Sequence, residues 1–268
     1  EVMNMNLGAM TSTFGSAPDV KPYGLLYQWG RKDPFPSAPS LTGNEKTQPV
    51  PVYGPDGAEV KITYSLWSSV ENNTIEYSIA NPTKCLSNYA QYNTSRDWLK
   101  ATDSNDALWG NPKGDERNSD NNYVNKGSKS FYDPCPVGYR VPPADVFRTF
   151  TTTGGYTQDP SSFDVVDLNG DGVIDTRDYN YGWSFNMKEG SLFFPAAARY
   201  DGSYAMLMGS KSGLWGSYWG NSPAKSYGAT TGFGFCVLAF MNEAAGTSVS
   251  ATASAGRADA YSIRCVKE

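Results

Sequence analysis

Asp167, Asn169, Asp171, Val173, Asp175 and Asp178 fall at the first, third, fifth, seventh, ninth and twelfth places of one twelve-residue stretch. Side-chain oxygens recur at the spacing from which a single hard cation is gathered, and Val173 adds its backbone carbonyl. Gly172 holds the sixth place, where the chain must turn sharply. The chemistry is coordination of Ca²⁺, which takes six to eight oxygens at about 2.3–2.6 Å. Four carboxylates this close repel one another unless something offsets their charge. The alternative is an ion-free loop of Asx turns. With its ion, the loop is expected to stiffen a long excursion rather than to touch a ligand.

Other chemistry is sparse. The chain of 268 residues has no histidine. That removes Ser-His-Asp and Cys-His machinery and the usual nitrogen ligands of zinc and iron. Carboxylate chemistry remains, but no enzyme is expected. The net charge of −5 supplies no basic stripe to displace phosphate counterions, which opposes nucleic-acid binding. No apolar run is long enough to span a bilayer as a helix. No signal peptide opens the chain, and any export signal is expected to have been removed. Cys85, Cys135, Cys236 and Cys265 lack C-x-x-C spacing, so disulfides and scattered thiols both stay open. Cys236, inside an apolar run, reads as a buried unpaired thiol. Arg31, Lys32 and Asp33 read as a solvated or salt-bridged turn.

These residues need elements to position them. Charged residues are few (18 %) against 14 % aromatics, with 27 Gly and 17 Pro, so the chain is loop-rich and unsuited to a helical bundle. Val2 to Ala9 is compatible with a strand and Tyr23 to Gly30 is a mostly apolar run, while Ser191 to Ala197, Trp215 to Gly220, Phe233 to Phe240 and Tyr261 to Val266 read as strands. Residues 68–79 read as helical or extended. Pro143 suits a helix start and Asp145 its positive end, with Val146, Phe147 and Phe150 on one face. Trp98, Leu108 and Trp109 are expected to pin a polar stretch to the body of the domain.

Several ordered motifs then form a set: Leu7-Gly8-Ala9, Gly24 to Phe35, Tyr132 to Pro142, Phe193 to Ala197, Gly216-Ser217-Tyr218-Trp219, and Tyr261 to Lys267. Together they resemble the Fibrobacter succinogenes major paralogous domain family, found in fimbrillin-like and adhesin-like surface lipoproteins of gut anaerobes. The resemblance runs the length of the chain. It implies one α+β domain over 1–268, C-type-lectin-like of the sulfatase-modifying-factor type, with small twisted sheets, few short helices, long loops and neighbouring termini. It also implies a Cys135–Cys265 disulfide. The calcium loop, at about 160–182, is an insertion relative to that pattern and resembles dockerin and EF-hand loops. Glu-Pro-Asn, Gln-Pro-Asp and Trp-Asn-Asp, the triplets through which animal C-type lectins hold sugar on calcium, are missing.

The expected function is a calcium-stabilised, non-enzymatic adhesion module at the cell surface or outer membrane. It would present a C-terminal loop surface to a glycan or protein partner. Trp215, Tyr218 and Tyr227 are the candidate ligand-facing aromatics, weighed against places in the core, which Trp219 is expected to take. A structural subunit of a fimbrial or surface polymer, without external ligand, is the second expectation.

Overall fold

The computed structural model describes residues 1–15, 21–37, 52–53, 56–64, 73–87, 96–202, 206–208, 211–224, 233–243 and 246–268. The first strands are β1 (Leu25–Gln28), β2 (Pro34–Pro36), β3 (Val52–Tyr53), β4 (Glu59–Val60) and β5 (Thr63–Tyr64). A helix, α1 (Ile75–Ala80), precedes β6 (Lys84–Cys85), β7 (Tyr139–Arg140) and β8 (Tyr156–Thr157). A hairpin of β9 (Gly182–Asn186) and β10 (Ser191–Pro195) leads to β11 (Tyr200–Asp201) and β12 (Met206–Leu207). The long strands β13 (Trp215–Pro223) and β14 (Phe233–Glu243) are followed by β15 (Gly246–Ser250) and β16 (Ala253–Gly256). The chain then runs through β17 (Ala260–Ser262) to β18 (Val266–Lys267).

The architecture is β-rich α+β, with few helical residues. Ten strands join in one sheet along the path β12-β11-β17-β13-β14-β15-β8, which is larger than the small sheets expected. β1 pairs with β17 and β2, and β16 pairs with β14 beyond the end of β15.

β13 and β14 sort their side chains by period two. Tyr218, Leu238 and Phe240 turn inward, meeting Phe194, Phe185, Val249 and Trp183 in one core cluster. Gly216 pairs with Phe240, and a Cβ there would stand 2.2 Å from the tip of that ring. A bulge follows Tyr218, because Tyr218 pairs with Leu238 but Trp219 pairs with Cys236. The extra residue lies on β14, so β13 itself keeps its alternation. Trp219, the next residue of β13, belongs instead to a second cluster on the other side of the sheet, stacked on Tyr261 at 4.4 Å together with Trp29, Trp98 and Trp109.

No α-helix forms at Pro143. The hydrogen bonds there run from Val146 to Pro143, Arg148 to Asp145 and Phe150 to Phe147, giving tight turns and a 3₁₀ turn over Arg148–Phe150. A three-residue repeat suits the two phenylalanines, since Phe147 and Phe150 both enter the core. The α-helix lies instead at Ile75–Ala80, where the Thr74 hydroxyl accepts from the Tyr77 amide as N-cap.

The two ends of the chain close on each other. Met3 N donates to Cys265 O and Leu7 N to Ile263 O, both at 2.9 Å, and Val2 pairs with Val266. Arg264, fully buried, reaches Asn6 Oδ1 (2.8 and 3.0 Å) and Phe193 O (2.7 Å), with its guanidinium 4.2 Å from the Phe194 ring centre. Burial draws that guanidinium down to about 10, opposed by Tyr218. This interruption splits the single terminal strand expected at Tyr261–Val266 into β17 and β18. Cys135 and Cys265 are disulfide-bonded across 130 residues, while Cys85 is a buried free thiol that burial pushes up to about 12. The side chain of Cys236 lies outside the described residues.

Closing so long a loop restricts the unfolded chain by roughly 4–5 kcal/mol in the chain-entropy model. Replacing Cys135 and Cys265 together by alanine is expected to lower the denaturant-unfolding free energy by about 3–5 kcal/mol. A loss below about 1 kcal/mol would contradict that role for the bridge.

Candidate functional site

The acidic loop is coiled around its own side chains. Asp167 accepts from Gly170 N and Gly172 N, both at 2.7 Å. Asn169 Oδ1 accepts from Asp171 N and Asp171 Oδ1 from Val173 N, each at 2.9 Å. Asp178 is fully buried and accepts from Leu168 N (2.8 Å) and Asp175 N (2.9 Å). Asp175 caps the 3₁₀ turn Thr176–Asp178, and Asp178 returns the bond to it in a capping box. Gly172 has φ +80°, and nothing lies within 4 Å of a Cβ placed there, so backbone conformation alone favours glycine.

The loop is pinned at both ends. Val166 N donates to Ser184 O on β9, and beyond the loop Tyr179 packs edge-on to Trp183 and donates to Gly213 O at 3.0 Å.

In kind, these donors suit a hard divalent cation: carboxylates, an amide oxygen and a main-chain carbonyl. In position they are committed elsewhere. Arg177 bridges Asp171 and Asp175 at 2.7 Å each, and its side-chain hydrogen bond, before its charge, holds the Asp175 carboxyl below the usual carboxylate range. Among the described residues, no three His, Cys, Asp or Glu side chains are gathered closely enough to hold a metal ion.

The other sheet face carries the second cluster, against which Ala239, Ala253 and Ala255 pack, and beside it the described residues leave a trough. Ser217, Ala239, Ser250 and Tyr156 stand in one row across β13, β14, β15 and β8. Trp215, Met241 and Ser248 form the next row. The small side chains of the first row floor a trough of about 570 Å³, within the range of small-molecule sites. Trp215, Met241 and the exposed Tyr156 stand as walls, and Arg199 and Tyr261 complete the lining on the β17 side.

A smaller polar pocket of about 180 Å³ continues from it, sharing Arg199, Ser254, Ala255 and Tyr261. Its charged residues, among those described, are Arg96, Arg199, Asp201 and Asp259. Tyr261 OH donates to Asp259 Oδ2 (2.7 Å), Gly202 N to Asp259 Oδ1 (2.7 Å), and Arg199 to Tyr261 OH (3.3 Å) and Asp201 (3.4 Å). Burial raises the Asp259 carboxyl above the usual range; Arg199 opposes that and Asp201 adds to it. Ala198 precedes Arg199 at φ 59°, a left-handed conformation that costs an L-residue about 1–2 kcal/mol. Arg199 Nε and Trp215 Nε1 are shielded from solvent without an acceptor among the described residues. Buried donors of this kind call for an explanation.

Of the three candidate aromatics, Trp215 lines the trough. Tyr218 does not: it is fully buried, and its hydroxyl donates to Pro195 O at 2.7 Å and accepts from Asn6 Nδ2 at 3.2 Å. It alternates with Ser217 and so falls on the core face. Tyr227 lies outside the described residues. The trough and pocket also use residues that sequence reasoning did not single out, chiefly Arg199, Asp201 and Asp259. The signal for them was present as Arg199-Tyr200-Asp201 and Asp259-Ala260-Tyr261. Each has a buried central residue, and the two central residues pair across β11 and β17.

Compared with protein-family models, curated proteins and solved structures, the chain has no significant match.

Proposed function

We propose that this chain is a non-enzymatic binding module of the Fibrobacter succinogenes major paralogous domain type, displayed at the cell surface. On this reading it belongs to an adhesin-like or fimbrial lipoprotein of the outer membrane, with a C-type-lectin-like domain over 1–268. Its glycan or protein partner lies in the trough on the open sheet face. The observation that carries the reading is the asymmetry of that sheet. One face is filled with aromatics, while the other keeps a Ser217–Ala239–Ser250 floor between aromatic walls. Flat aromatic faces stack on sugar rings and other amphipathic partners.

The calcium loop belongs to the same reading as a stiffening element. Asp167, Asn169, Asp171, Val173, Asp175 and Asp178 would hold Ca²⁺, and Arg177 would have to release Asp171 and Asp175. The bound ion would supply charge compensation, since four carboxylates face one guanidinium in the loop. The anchors at Val166 and Tyr179 fix both ends of the excursion. Calorimetric titration of Ca²⁺ into chelator-treated protein is expected to show one site, weakened about tenfold or more by Asp171→Ala and tightened by Arg177→Ala. No binding, or binding indifferent to Asp171, counts against the calcium assignment.

Binding of the wild-type chain to arrayed glycans and surface proteins tests the trough. Ser217→Phe fills the floor with a good strand former and is expected to abolish specific hits without lowering Tm. Trp215→Ala is expected to weaken them by about tenfold or more. Absence of specific hits favours a structural subunit instead. Release of reducing ends from a bound glycan would overturn the non-enzymatic reading.

A further inference from the structure

Resting on the trough reading, we infer that the ligand is a neutral oligosaccharide, one ring of which enters the polar pocket beside Arg199 while the chain continues along the trough. Among its described residues the pocket sets two guanidiniums, Arg96 and Arg199, against two carboxylates, Asp201 and Asp259, so their formal charges cancel. A balanced pocket offers an anion or a cation no net attraction. It does offer strong donors and strong acceptors side by side. That is the arrangement vicinal hydroxyls need, because each both donates and accepts a hydrogen bond.

The set is also held rigidly. Asp259 is fixed by Gly202 N and Tyr261 OH, and Tyr261 is stacked on the buried Trp219. Size agrees. A cavity of roughly 150 Å³ accommodates benzene, and about 180 Å³ opening into the trough accommodates one six-membered ring. The adjoining trough changes character, with Trp215, Met241 and Tyr156 presenting apolar faces above small hydroxyl-bearing residues. Apolar ring faces against aromatics, with hydroxyl rims against Ser250 and Ser217, fit a sugar chain. An extended peptide would leave its amides facing a floor that offers only hydroxyls. Arg199 Nε and Trp215 Nε1, without acceptors among the described residues, belong to side chains that line the trough, where sugar oxygens would supply acceptors after a side-chain shift.

The test uses the full chain against neutral gluco-, manno- and xylo-oligosaccharides, uronate-bearing and sulfated oligosaccharides, and unglycosylated peptides, with affinities from calorimetry. A neutral oligosaccharide is expected to bind. Asp259→Asn and Arg96→Ala are each expected to weaken it about tenfold or more. Arg96 carries an exposed side chain, so Arg96→Ala keeps the test valid should Asp259→Asn fail to fold. Binding lost with Ser217→Phe but untouched by both pocket variants overturns the pocket and leaves the trough standing. Binding only of acidic oligosaccharides or peptides, still blocked by Ser217→Phe, overturns the neutral-sugar inference alone. No binding at all, or binding indifferent to Ser217→Phe, defeats this inference and the trough reading together.

Discussion

The pairing of β13 with β14 sets everything else in this molecule. A pleated ribbon of this length must give one face to the core and the other to solvent, and the register decides which side chain goes where. Here Gly216 yields its space to Phe240, so the ring can cross the strand and join Phe185, Phe194 and Tyr218. The same register leaves Ser217, Ala239 and Ser250 on the far side. A dense aromatic core and a shallow, hydroxyl-lined trough are two faces of one alternation. A one-residue slip would exchange them.

Much of this was legible in the residues, and the failures have physical causes. Glycine-punctuated apolar runs located β10, β13 and β14, because turns and strands differ in composition as well as in pattern. The Pro143 segment failed as an α-helix because Phe147 and Phe150 are three apart, a spacing that tight turns also satisfy. Tyr218 was grouped with Trp215 by residue type, yet an odd separation along a strand puts the two on opposite faces. Trp219 was placed in the core through a recurring motif. Its burial comes from a second cluster on the side opposite Tyr218, where it stacks on Tyr261. The polar pocket was illegible because its halves lie near 200 and 259, and only the pairing of Tyr200 with Ala260 brings them together.

The acidic loop shows where pattern outruns geometry. Its spacing names donors in order, and the backbone amides do wrap around Asp167, Asn169, Asp171 and Asp178. Arg177, at the eleventh place, then competes for two of the same carboxylates. An internal cation lowers the repulsion that would otherwise recruit an external one. The affinity of the loop therefore turns on how readily an exposed guanidinium is displaced, and exposed ion pairs are weak. At the opposite extreme, Arg264 is wholly enclosed and ties the first residues to the last strands.

The central claim is that the open face of β13 and β14 meets the ligand while their other face stays sealed. Four of the described tryptophans, Trp29, Trp98, Trp109 and Trp183, are at most 1 % exposed and outside the trough lining, and among the described tryptophans Trp215 alone lines the trough. Nitrogen-15 spectra of the indole N–H groups during titration with the tightest-binding oligosaccharide therefore read the claim directly. The account predicts a progressive, saturable shift of the Trp215 resonance while the indoles of Trp29, Trp98, Trp109 and Trp183 hold their positions. A stationary Trp215 at saturation, or movement led by those four indoles, would contradict it.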